Sequence, residues 1–541
     1  MKIRFISAGA GTGKTSRLAD LLQEMLLAGH VNPGGIIATT FTNKAAVELR
    51  ERVRSHLLRN GEAKLAVGIG QAYIGTVNSV CGSLLVRFAF EARLPTIQRV
   101  LDPQTAQQIL QQSVDEVIEE GTLEQLLRVA HHLALDEPRH GQREEPWRTA
   151  LREIVDQARA NAIDPEALRS FGSINADRLL KHFPPAVGDN LDSLLADAVK
   201  EVRGGIRAAI AGGKLTKVTE KYLQCLDDTE RDLRTGGMLW AQWNKLANEK
   251  PEARLQAMAQ EASRRAGMHT AHPQLHADLR EYLTTIFNLA ASALDHFATR
   301  KREIGAVDFA DQERLLLDVL DHEEVASALR EDLDLLMVDE FQDTSPIQLA
   351  LFLKLARLAK HVVWVGDIKQ AIYGFRGGDA ALMQAVLASL PGLGAEKEAL
   401  RQSYRSRPPL VALVNDVFAT AFEGVDASEI TLDAVRDDLE APIAVEDWWL
   451  EGSNGPARCE AVASGIAALM AEGVAVMDRT TGGARRVRLA DIAVLARTNP
   501  AVQELAGVLR ARGVPSSTSQ AWVTGAARDR AGARLFAPAQ R

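Results

Sequence analysis

Ala8-Gly9-Ala10-Gly11-Thr12-Gly13-Lys14-Thr15 follows a short apolar run, residues 3–7, and opens a stretch of helical spacing that reaches about Leu27. Strand, glycine-rich turn, helix is the order a phosphate loop requires. Glycines let backbone N–H groups curl around phosphate oxygens, and the helix N-terminus adds a favourable dipole. Lys14 is placed to reach the β- and γ-phosphates, and the Thr15 hydroxyl to bind Mg²⁺. The strict motif begins with Gly; Ala8 stands there, a substitution of small cost.

Working outward, strands alternate with helices. Residues 35–40 and 72–76 read as further strands, followed by helices from Asn43 to about Leu58 and from the third strand through Phe90. This alternation predicts an α/β fold: a parallel sheet with helices on both faces. From 102 to 302 apolar residues recur at helical spacing, as at Ile109, Leu110, Val114 and Ile118, and strand signals are few. That stretch reads as a helical insertion. Strands return at 335–338 and 362–365, and a further α/β region begins near Leu400, with strands expected near 443–450 and 492–495. The expected division is a first sheet domain (1–101 and 303–399) interrupted by the insertion (102–302), a partial second domain (400–520) and an irregular tail (521–541).

The strand at 335–338 ends in Asp339-Glu340. Parallel sheets place ligand sites at the C-terminal ends of their strands. Asp339 is therefore the candidate to hold Mg²⁺, and Glu340 the candidate general base for an attacking water. Adjacent carboxylates alone are often surface charge; the phosphate loop and the following Phe341-Gln342-Asp343-Thr344 give them meaning.

Composition narrows the class. The chain has 541 residues, 46% hydrophobic and 25% charged, as in a soluble globular protein, with room for roughly three or four domains. No apolar run reaches the ~18 residues that span a bilayer, and no signal-peptide pattern opens the chain, so a cytoplasmic protein without membrane contact is expected. Cys81, Cys225 and Cys459 are too scattered for a zinc or iron–sulfur site and are expected as reduced thiols. The net charge of −8 argues against a protein that coats DNA by general electrostatics; DNA binding would need a local groove.

An ordered series of strings then becomes specific: Thr39-Thr40-Phe41-Thr42-Asn43-Lys44-Ala45-Ala46, Gly75-Thr76-Val77-Asn78-Ser79-Val80-Cys81, Asp308-Phe309, Asp339-Glu340-Phe341-Gln342-Asp343, Gly366-Asp367-Ile368-Lys369-Gln370-Ala371-Ile372-Tyr373-Gly374-Phe375-Arg376-Gly377, and Tyr404-Arg405-Ser406. In this order they resemble the UvrD/Rep-type superfamily 1 DNA helicases. The form around Lys369, and the run from Gly75 through Leu84-Leu85 and Phe88 to Val100-Leu101-Asp102, are similar to the RecB/AddA helicase–nuclease branch.

The resemblance implies a P-loop, RecA-like fold and an ATP-dependent helicase or translocase of 3′-to-5′ polarity, acting on single-stranded DNA and duplex ends in repair or recombination, with ATP and Mg²⁺ and with a helicase–nuclease partner subunit. Gln342 and Gln370 are candidates for sensing the γ-phosphate, and Arg405 for contacting it. Arg17 and Tyr404 would flank the base. Phe41, Tyr373 and Phe375 would stack on DNA bases, a contact of ~1–3 kcal/mol each. Thr42, Lys44 and Arg376 would contact the backbone or hold those aromatics. Taken singly, Phe41 or Phe375 reads as core. Asn78 stands where the family usually has His.

The family's two later motifs have no match, no carboxylate cluster for DNA cleavage is evident, and the upstream glutamine motif is lacking. The absence of the two later motifs makes a C-terminally truncated chain the expectation. The alternative function is a catalytically impaired, ATP-gated protein that binds DNA or a partner.

Overall fold

The computed structural model describes residues 2–95, 98–138, 144–188, 190–211, 216–371, 380–422, 430–436, 444–452, 454–478 and 481–518. They form two compact units, Met1–Gly9 with Lys14–Leu400, and Ala10–Gly13 with Arg401–Arg541.

The first unit is built on strands β1 (Lys2–Ala8), β2 (Ile36–Thr40), β3 (Tyr73–Thr76), β6 (Leu335–Val338), β7 (His361–Gly366) and β8 (Glu396–Leu400). Their order in the sheet is β3-β2-β6-β7-β1-β8, and every ladder is parallel. Successive side chains of a strand point to opposite faces. Ile3 and Phe5 of β1, Leu336 and Val338 of β6, and Val362 and Trp364 of β7 therefore enter one core. Ile6 and Ala8, Leu335 and Met337, and Val363 and Val365 enter the other. A sheet covered on both faces needs continuous apolar strands, and β2 and β6 are buried at every position. The helix Lys14–Leu27 lays Leu18, Leu21, Leu22 and Leu26 on the second core, one stripe of an amphipathic helix.

Strand β8 is not anticipated by the sequence. Glu396-Lys397-Glu398 lacks an apolar pattern because β8 is an edge strand, where charged residues are tolerated and block further pairing. The helix after β3 stops at Arg87, short of the expected Phe90. Turns follow, with Arg93 at φ 53°, and Phe90 is 85% exposed.

Between β4 (Arg99–Val100) and β5 (Ala306–Val307), which pair in parallel, the described chain is helical. It packs around two cores. One gathers Trp147, Leu151, Ile286 and Phe297; the other gathers Leu195, Tyr222, Trp243 and Leu246. The longest helix, Pro273–Glu303, starts with proline at its first turn, where the missing N–H costs nothing. Cys81 and Cys225 are buried free thiols and Cys459 is half-buried. No helix among the described residues is long and apolar enough to cross a membrane.

The second unit pairs Gln402–Ser403 with Asp433–Ala434 in parallel, and Ala475–Met477 with Ala484–Arg486 antiparallel. The helices Gly455–Glu472 and Asn499–Ala511 share a small core of Ala463, Ile466, Leu505 and Leu509. The strands expected near 443–450 and 492–495 do not form among the described residues. An apolar run becomes a strand only where a neighbour completes its ladder, and here Trp449 is 90% and Leu495 95% exposed. Residues 519–541, the expected tail, lie outside the described residues.

Candidate functional site

The C-terminal ends of β1, β7 and β6 lie side by side: Ser7 is in register with Gly366, and Val338 with Trp364. The residues that follow these ends form one hydrogen-bonded cluster. Lys14 Nζ donates to Glu340 Oε2 at 2.7 Å. Gln342 Nε2 donates to the same oxygen at 2.8 Å, and its own Oε1 accepts from the Asp367 backbone N–H at 2.9 Å. Asp367 then accepts from Gln370 Nε2 at 2.7 Å and pairs with Lys369 Nζ at 2.9 Å. An unbroken polar chain thus runs from Lys14 to Gln370.

Several features hold this cluster in place. Glu340 has φ 51° and ψ 44°, a left-handed conformation that costs a non-glycine residue of order 1–3 kcal/mol and that clusters at functional sites. Phe341 anchors the turn from below, stacked on Trp364 with ring centroids 4.5 Å apart. Gly366 leaves room for Gln342: a Cβ there would sit 2.7 Å from Gln342 Oε1. Gly366→Ala should therefore displace that amide; if the cluster serves the ATP hydrolysis that the sequence motifs lead one to expect, turnover should fall about tenfold, the cost of one strained or lost hydrogen bond, with ATP affinity within about twofold of wild type. Steady-state kinetics check both halves.

Electrostatically the cluster is starved of positive charge. Burial pushes the Asp339 carboxyl up to about 6, and the neighbouring Glu340 charge adds to the rise. Asp343 is raised to about 6 by the same two causes, and its Oδ1 is buried without a hydrogen-bond partner. Among the described residues no group of three His, Cys, Asp or Glu could cage a metal. Mg²⁺ in a nucleotide site needs no such cage, since one or two carboxylates join substrate phosphates and waters. Asp339 feels the charge of Lys14, whose chain neighbour Thr15 is half-buried, so one carboxylate and one hydroxyl are the protein donors that such a site would offer.

Gly11 and Gly13 take φ 79° and 83°, open to glycine without strain. Ala10–Gly13 cluster with the second unit, as do Tyr404, whose hydroxyl donates to Gln402 Oε1 at 2.5 Å, and Arg405, whose carbonyl accepts from Arg436 at 2.8 Å. Arg17 is engaged by Glu398 of β8, with Nε 2.9 Å from Oε1.

The same sheet edge continues past the cluster. The Asp339 N–H donates to the Thr39 carbonyl at 3.0 Å, so β2 leads directly from the carboxylates to Phe41. Phe41 and Asn78 line a cavity of about 770 Å³ with Thr76, Gln98, Phe309 and Gln312. Phe41 is 39% exposed. Asn78 Oδ1 and both amide atoms of Gln98 are buried without a hydrogen-bond partner. Thr42 caps the helix Asn43–Arg59, its hydroxyl accepting from Ala45 N–H at 3.1 Å, and Lys44 is exposed. Gln98 had no motif to mark it; only its unpaired amide in the cavity singles it out. Tyr373, Phe375 and Arg376 lie outside the described residues.

The family of the UvrD/REP helicase N-terminal domain matches residues 2–391. The chain belongs to the UvrD/REP helicase family, and its parallel sheet is that of a RecA-like P-loop fold. Among curated relatives it is similar to proteins named as ATP-dependent helicase/nuclease subunits. The one from Staphylococcus carnosus is 24% identical, covering 94% of this chain and 46% of the relative. The Desulforudis audaxviator protein is 26% identical, covering 76% and 38%. The Lactobacillus delbrueckii protein is 24% identical, covering 94% and 47%. The chain thus spans less than half the length of these relatives.

Proposed function

We propose that the chain is the motor part of an ATP-dependent DNA helicase or translocase that moves 3′-to-5′ on single-stranded DNA in cytoplasmic repair or recombination. One observation carries the reading. The polar chain from Lys14 through Glu340 and Gln342 to Asp367 and Gln370 occupies the same sheet edge as the cavity of Phe41 and Asn78. In this reading residues 1–101 and 303–399 make the first motor domain around the insertion 102–302, and 400–520 belong to a second. That the relatives are named as subunits supports a helicase–nuclease partner.

Lys14 binds the β- and γ-phosphates, which draws its ammonium away from Glu340. Glu340 then accepts a proton from the attacking water at Oε2, and Gln342, bonded to that same oxygen, orients the water. Thr15 and Asp339 would hold magnesium, whose charge would offset that of the triphosphate. Any shift of Gln342 pulls on the Asp367 N–H, and through Asp367 on Gln370, so hydrolysis and grip on the strand are coupled. Phe41 and Asn78 meet the bases, with Thr42 and Lys44 near the backbone. The nucleotide roles of Arg17, Tyr404 and Arg405, and the strand contacts of Tyr373, Phe375 and Arg376, belong to the same proposal.

The test is steady-state ATP turnover with and without oligo(dT). The reading expects clear stimulation by the strand. Equal rates would contradict it; nucleotide binding with turnover barely above background would instead favour the catalytically impaired, ATP-gated binding protein.

A further inference from the structure

The insertion meets the motor at a buried charge cluster outside the nucleotide site. Asp308 is 3% exposed and begins the helix Phe309–Val319. Its Oδ1 accepts from the Asp311 N–H at 2.9 Å, and the Asp311 carboxylate accepts in return from the Asp308 N–H at 3.0 Å. Both cap carboxylates are gripped from the insertion. Lys301 Nζ, on a residue only 5% exposed, lies 2.8 Å from Asp308 Oδ2 and 2.5 Å from Asp311 Oδ2. Arg159 reaches the same Asp308 oxygen at 2.9 Å. The two cations come from the last turns of separate insertion helices, Pro273–Glu303 and Pro146–Ala160, and both pack on the Phe297 ring.

Lys301 and Arg159 set two cations against these two carboxylates, with Asp156 within reach of the Arg159 charge and Glu313 within reach of Asp308. Burial opposes ionisation of Asp308, and the charges of Lys301 and Arg159 outweigh it, keeping its pKa below the ordinary value. Buried ion pairs add little stability, because desolvation offsets their attraction, and in some proteins their role is to select one geometry. The geometry fixed here is the start of a helix whose first residue, Phe309, and fourth, Gln312, line the cavity with Phe41 and Asn78. Beyond the cluster, Glu313 of this helix accepts from Gln348 Nε2 at 2.6 Å, and Gln348 caps the helix Pro346–Leu358 that follows Asp343.

We propose that Lys301, with Arg159, is a positioning residue: from the insertion it sets where Phe309 and Gln312 stand in the cavity and so tunes its affinity for single-stranded nucleic acid. The inference rests on the reading that this cavity takes the strand.

The experiment uses the full chain and reads three quantities: basal ATP turnover, KM for ATP, and the oligo(dT) concentration giving half-maximal stimulation. Lys301→Met should raise the half-maximal concentration about tenfold, a partial loss of one stacking contact. Basal turnover and KM for ATP should not change, and Lys301→Arg should recover most of the loss. Should Lys301→Met melt below the assay temperature, the charge-balanced Lys301→Met/Asp311→Asn variant carries the same expectation. A folded variant of either kind with the wild-type half-maximal concentration overturns the inference. Phe41→Ala is the separate control. If it weakens the strand while the Lys301 variants do not, only the positioning role fails. If Phe41→Ala has no effect, the cavity reading fails and takes the inference with it.

Discussion

Glu340→Gln should turn over ATP about 10²–10⁴-fold more slowly than wild type while binding it at least as tightly, because a positioned general base contributes that much to rate. The structure explains why binding should survive. Glu340 Oε2 accepts from both Lys14 Nζ and Gln342 Nε2, so the carboxylate competes with phosphate for the lysine. An amide in its place keeps the shape, gives up the competing charge and cannot take a proton. Single-turnover hydrolysis, with affinity measured by a fluorescent ATP analogue, separates the effects. Wild-type turnover in the variant would remove Glu340 from the chemistry.

Lys14→Ala should act in the opposite way, weakening nucleotide binding about 10- to 100-fold, the range for losing a hydrogen bond between charged groups. The loss is compounded by what remains. Lys14 is the cation that lowers the pKa of both Asp339 and Asp343 against burial. Without it three neighbouring carboxyl groups face the triphosphate with less opposing charge. Titration with the same analogue checks the affinity, and wild-type binding would mean that the phosphates lie elsewhere.

How much of this was legible in the sequence depends on whether a physical signal is local. The strands that end at Ala8, Thr40, Val338 and Gly366 are buried on both faces, so their apolar runs stand out, and the loops that follow them carry their chemistry in contiguous strings. Strand β8 was hidden because an edge strand may be charged, and Glu396-Lys397-Glu398 reads like surface. The strands expected near 443–450 and 492–495 show the reverse error: an apolar run is no strand without a partner. Two features were beyond sequence reading because they join distant residues. Lys301 and Arg159 meet Asp308 only through the packing of two insertion helices. Gln98 matters only because its amide is buried and unpaired beside Asn78.

Everything turns on Lys14, Thr15, Asp339 and Glu340 serving a single triphosphate and its divalent ion. Nucleotide-dependent Mn²⁺ uptake, followed by electron paramagnetic resonance in wild type and in Asp339→Asn, addresses that directly. Bound Mn²⁺ should appear with the ATP analogue in wild type and fall sharply in the variant. Equal uptake by both proteins would contradict the account.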